Sequence, residues 1–145
     1  MYCALGADAF VTALAEFFQH STGRVGPIDR LAASPTATAF RLATSVRLLD
    51  LGSGWVTRAG GNQAIVAGLR TRARAWAGAI HEAHVHVDGL VYPSSVWGPG
   101  LCVALWERGR SALPRGPDLH RLLRDPVLDR PLADAAERLG TLLIG

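Results

Sequence analysis

The longest uninterrupted apolar run in the chain is LCVALW, residues 101–106. Crossing a bilayer as a helix takes about 20 such residues, so this run does not span a membrane. Its β-branched and aromatic content suits a buried strand. VDGLVY, residues 87–92, reads as a second short strand following a turn. Between the two lies PSSVWGPG, dense in residues that turn a chain. A length of 145 residues is enough for a folded domain with its own core, and 49% hydrophobic with 19% charged is a globular balance rather than a disordered one.

The helical signals lie elsewhere. Residues 8 to 20 carry Phe10, Val11, Leu14, Phe17 and Phe18 on one face at about 100° per residue, with Asp8 placed to cap the start. On that wheel Glu16 falls opposite the apolar face, beside the small residues Ala9, Thr12 and Ala13. Periodicity alone makes Glu16 a solvated surface carboxylate, although its small neighbours leave room for a ligand to approach. A second helix is predicted over 70–84, with Ala73, Trp76, Ala77 and Ile80 inward. AFRLA and VRLLDL read as short strands, HSTGRVGPIDR as a loop, and SGWVTRAGGN as a connector whose Asn62 caps the next helix. The glycines of that connector lack the strand, spacing and lysine of a phosphate-binding P-loop. Beyond RSALPRGPD, DLHRLLRD is predicted as a short helix and PLADAAERLGTLLIG as a final amphipathic one. The chain therefore divides into a main domain, 1–113, and a C-terminal helical extension, 114–145.

All 15 basic residues are arginine, and the formal net charge is +3. Arginine holds phosphate through a bidentate fork. Yet Arg70, Arg72 and Arg74 spread over about 200° of a helix, so they form no stripe for nucleic acid. The N-terminus MYCALGADAF has no basic leader, and Cys3 and Cys102 have no metal-like spacing. Both cysteines are expected reduced and structural, as in a cytoplasmic protein. HEAHVH, 81–86, is the obvious metal candidate, but all its ligands would come from one connection. No metal is expected; histidine also suits a helix C-terminus. Ser94 and Ser95 lack the GxSxG elbow of a serine hydrolase and read locally as turn residues. Trp97 and Trp106 read as core or pocket lining.

In order along the chain come a tyrosine strand, TALAEFF, an IDR stretch, VRLLDL, RARAWAGAI, VDGLVYPSS and the apolar strand that follows. This ordered set resembles the RES-domain family, the toxin half of bacterial toxin–antitoxin modules, over about Tyr2 to Leu113. The resemblance implies an α/β (α+β) fold, a compact mixed sheet with flanking helices similar to the ADP-ribosyltransferase toxins, with its first strands missing here. It implies NAD+ as substrate rather than cofactor. The nicotinamide–ribose bond would be cleaved, with water, phosphate or a protein as acceptor. By position, Glu16 in TALAEFF matches the family glutamate and Ser94 in VYPSS the family serine, with Ser95 as the alternative. Tyr2, Tyr92 and Ser95 are expected against the dinucleotide. The family arginine belongs to a glycine-rich segment upstream of the tyrosine strand, so the chain is expected to be N-terminally truncated. A small helix-turn-helix antitoxin is the expected partner, with no direct nucleic-acid or membrane contact. The other reading left open is a non-catalytic interaction module that only pairs with such a partner.

Overall fold

A computed structural model describes residues 1–20, 23–62 and 70–145. The central sheet has four strands in the order β1-β6-β5-β4. These are β1 (Tyr2–Leu5), β4 (Leu48–Asp50), β5 (Gly89–Pro93) and β6 (Leu101–Leu105). β1 and β5 flank β6 antiparallel, while β4 joins β5 in parallel, so the sheet is mixed. Two smaller pairings complete the strands: β2 (Ile28–Asp29) runs parallel to β8 (Leu143–Ile144), and β3 (Thr36–Ala39) antiparallel to β7 (Leu119–Leu122). Among the described residues the α-helices are α1 (Ala9–Phe17), α2 (Trp55–Arg58), α3 (Arg70–Ala83) and α4 (Asp129–Leu139). The architecture is α+β, a mixed sheet with flanking helices.

Two apolar clusters hold these elements. Val11 and Leu14 of α1 pack with Ile28, Leu123 and Leu128, and with Leu132, Ala135 and Ala136 of α4. Leu51, Val56, Ile80 and Leu90 form the second cluster, surrounded by Trp55, Trp76, Ala77, Tyr92 and Trp106. The α3 face predicted from Trp76, Ala77 and Ile80 is the one that packs. Residues after 113 also build the first cluster: Leu132 and Ala135 have no exposed surface. Gly140, with φ 61°, ends α4 in the left-handed conformation that glycine adopts without strain.

Several local readings give way to tertiary pairing. DLHRLLRD contains strand β7, not a helix: with Leu122 opposite Thr36, the ladder to β3 captures a segment whose i, i+3 leucines fit either state. The final segment is likewise not helical throughout, because its last residues form β8. Strand β3 covers TATA rather than AFRLA; past Ala39 the partner strand has ended. The SGWVTRAGGN connector contains the single turn α2, and HSTGRVGPIDR contains β2. The helix that Asn62 was expected to cap would begin outside the described residues.

Helix α1 differs from its predicted wheel. Thr12 and Ala15 are fully buried, whereas Phe17 stays 69% exposed. The buried arc, Leu14–Val11–Ala15–Thr12, is rotated by about 80° from the one drawn through the phenylalanines. Glu16, next around the wheel from Thr12, therefore stands at the rim of the buried face rather than opposite it. The cause is that α1 packs against two surfaces, α4 on one side and the β1–β6 end of the sheet on the other. A small polar residue suits the second contact. A Cβ added to Gly100 would lie 2.2 Å from Thr12 Oγ1, so the helix rests directly on the backbone there.

Candidate active site

Alternation along the strands gathers the site. Tyr92 faces Cys102 across β5 and β6, and Ala4, two residues from Tyr2, faces Cys102 across β1 and β6. With a period of two, Tyr2, Tyr92 and Cys102 share one face of the sheet. The Tyr2 and Tyr92 rings lie 6.5 Å apart between centroids. Seating Thr12 against Gly100 brings Glu16, one helical turn later, to this face.

Five side-chain groups are linked there around the Glu16 carboxylate. Ser94 Oγ donates to Glu16 Oε1 at 2.5 Å. The Cys102 thiol points a weaker donor at the same oxygen, Sγ to Oε1 3.7 Å, and the Tyr2 hydroxyl donates to Cys102 Sγ at 3.2 Å. Gln19 Nε2 donates to Glu16 Oε2 at 3.2 Å and to the Glu16 carbonyl at 2.9 Å. Donors thus converge on both carboxylate oxygens and fix the plane of the group.

Ser94 is itself held by its turn. Its hydroxyl oxygen accepts from the amides of Val96 (3.2 Å) and Trp97 (3.0 Å), and its own amide donates to the Gly100 carbonyl at 2.8 Å. A hydroxyl has one donor and two acceptor positions, and all three are occupied. Ser94 is buried, whereas Ser95 is exposed, so the pair divides in favour of Ser94 as the partner of Glu16.

The surroundings raise the acidity constants of the neighbouring weak acids. Burial is the main cause for Cys102, pushed up to about 11, with the nearby Glu16 carboxylate adding to it and the Tyr2 hydrogen bond opposing it. Burial likewise pushes Tyr92 up to about 12, aided by Cys102 and Glu16. The Tyr2 phenol moves in the same direction, first through burial of its hydroxyl end and then through Cys102 and Glu16, although half of the residue's surface is exposed. All three therefore stay protonated at neutral pH and remain donors beside the carboxylate.

The other sequence candidates lie elsewhere. His81 stands edge-on to Trp106 and His84 edge-on to Trp55, with ring centroids 4.9 and 5.7 Å apart. Among the described residues no three His, Cys, Asp or Glu side chains group as metal ligands. Trp97 packs on the first apolar cluster and Trp106 on the second, as lining residues do. A surface cavity of about 600 Å³, lined by Thr36, His120, Arg121, Leu122, Arg124, Asp125 and Pro126, is built on the β3–β7 ribbon and shares no residue with the Glu16 cluster. No helix among the described residues is long and apolar enough to cross a membrane. Sequence reasoning missed Cys102 and Gln19 as members of the cluster. The strand alternation of LCVAL and the i, i+3 spacing from Glu16 were the signals that could have found them.

A family model described as the RES domain matches residues 3–127. No curated protein and no solved structure matches the chain.

Proposed function

This chain belongs to the RES-domain family, and on that premise we propose that it cleaves the bond between nicotinamide and ribose in NAD+, with Glu16 as the catalytic carboxylate. One observation carries the reading: Ser94, 78 residues away in the chain, holds Glu16 Oε1 at 2.5 Å, at the rim of a polar cluster that also contains Tyr2 and Tyr92.

The chemistry requires little more than placement and charge. When the C1′–N1 bond breaks, its electron pair leaves with nicotinamide and neutralises the pyridinium. Positive charge then develops on C1′ and the ring oxygen of ribose. A carboxylate held rigidly beside that carbon stabilises the oxocarbenium-like state without having to reorganise. The acceptor attacks C1′ from the opposite side. Water yields ADP-ribose and releases a proton, phosphate yields ADP-ribose 1″-phosphate, and a protein side chain becomes ADP-ribosylated. Tyr2 and Tyr92 supply aromatic faces and hydroxyl donors for the nicotinamide and its ribose. Ser94, its valences filled within the chain, orients Glu16 rather than attacking. Family membership further supports a role as a cytoplasmic toxin component neutralised by a small helix-turn-helix partner.

The test is to incubate the purified chain with NAD+, with and without inorganic phosphate, and to follow free nicotinamide. Release that depends on Glu16 is expected. NAD+ left intact in both conditions by a well-folded chain would overturn the enzymatic reading in favour of a non-catalytic module.

A further inference from the structure

Arg138 occupies the last turn of α4 and touches both elements that carry the proposed site. Its Nη2 lies 2.6 Å from Asp8 Oδ1, at the entrance of the helix that bears Glu16. Asp8 makes no side-chain cap to α1, so its carboxylate is given to Arg138 instead. The same guanidinium lies over the indole of Trp97, 4.9 Å from the ring centroid. Trp97 in turn donates its amide to Ser94 Oγ and accepts the Gly100 amide at its carbonyl, 2.9 Å away. One side chain thus ties the start of the Glu16 helix to the turn that presents Ser94.

We propose that Arg138 is a positioning residue that sets the separation of Glu16 and Ser94; this rests on the reading of Glu16 as the catalytic carboxylate. Either contact alone is weak, being a partly exposed ion pair and a partly exposed cation–π contact. Their value is geometric, because one cationic side chain serves both partners at once. The short Glu16–Ser94 contact bridges two separately anchored elements, so a small slip between them would break it. Arg138 lies beyond residues 3–127, the span matched by the family model.

The test compares the full chain with its Arg138→Ala and Arg138→Lys variants, using two readouts. The first is backbone amide hydrogen exchange followed by NMR. In Arg138→Ala the Val96 and Trp97 amides, which donate to Ser94 Oγ, should exchange about tenfold faster while the core amides around Leu132 and Leu14 keep their rates. The second is nicotinamide release. Here kcat should fall about tenfold with KM for NAD+ unchanged, and Arg138→Lys, which keeps a cation between Asp8 and Trp97, should recover kcat to within about threefold. Unchanged exchange at Val96 and Trp97 overturns the proposal. Equal acceleration throughout α1 and α4 does so too, since Arg138 would then be only a general stabiliser. If no variant and no parent chain releases nicotinamide, the NAD+ reading fails by itself, and the exchange rates still decide whether Arg138 clamps the two elements.

Discussion

The Ser94 hydroxyl donates to Glu16 Oε1 at 2.5 Å, and both of its own lone pairs are engaged by the amides of Val96 and Trp97. A serine in this state has no free lone pair with which to attack a substrate. Its hydroxyl instead locks one carboxylate oxygen, while Gln19 fixes the other. The arrangement is that of a preorganised anion rather than of a nucleophile and its base, which suits a reaction whose transition state is cationic.

Replacing Glu16 with Gln keeps the shape of the side chain and removes its charge. Nicotinamide release at saturating NAD+ should fall by about a hundredfold or more, the scale seen when a preorganised electrostatic partner of the transition state is lost. Stability should change little, because the amide oxygen can still accept from Ser94, and Gln19, whose longer contact to the second oxygen is lost, keeps its bond to the Glu16 carbonyl. A variant retaining more than a tenth of the parent rate would remove Glu16 from its proposed role.

The two adjacent serines should separate cleanly. Ser94→Ala deletes the donor to Glu16 and strands two amides in a buried turn, at a cost of about 1–3 kcal/mol in denaturant unfolding. Ser95 is exposed, and Ser95→Ala should fall within about 0.5 kcal/mol of the parent. A reversed order of the two costs would return the turn to the Ser95 assignment.

How far the sequence foretells this arrangement depends on where each residue's partner lies. β5 and β6 are visible as apolar runs because their burial is written into consecutive residues, and α3 because Trp76, Ala77 and Ile80 repeat at helical spacing. Strand β7 is not visible: Leu119, Leu122 and Leu123 satisfy a helical pattern, and the partner that overrides it, Thr36–Ala39, pairs with it across 80 to 86 residues of chain. Glu16 was misplaced on its helix because the phenylalanines dominate the wheel, while the contact that orients α1 is the bare backbone of Gly100 against Thr12. The pairing of Glu16 with Ser94 came from family resemblance. Cys102 shows only as an apolar strand residue until the thiol is seen between Tyr2 and Glu16.

The raised thiol and phenol values make stability fall in alkali. The Cys102 thiol ionises near its ordinary 9.0 in the unfolded chain but only at about 11 when folded. Between these values the unfolded chain binds fewer protons than the folded one, so unfolding becomes easier as pH rises. Tyr92 repeats the effect between 10.0 and about 12. The thermal midpoint should therefore decline above about pH 9, and Cys102→Ala should make that decline shallower without abolishing it, because burial raises the Cys3 thiol as well. A parent midpoint that held steady from pH 9 to 11 would contradict this account.

The close seat of α1 on the sheet gives a last, geometric prediction. In Gly100→Ala the new methyl would meet Thr12 Oγ1 at 2.2 Å, Cγ2 at 2.7 Å and Cβ at 2.9 Å. Thr12 is fully buried and cannot turn aside, so the helix or the 94–100 turn must move. Overpacking of this kind costs about 1–3 kcal/mol. Because the displaced helix carries Glu16 away from Ser94, nicotinamide release should fall by more than the loss of folded protein explains. Thr12→Ala clears two of the three contacts, so the double variant should be less destabilised than the sum of the single ones, by about 0.5 kcal/mol or more in a double-mutant cycle. Strict additivity would mean that Gly100 and Thr12 do not share the contact that seats α1.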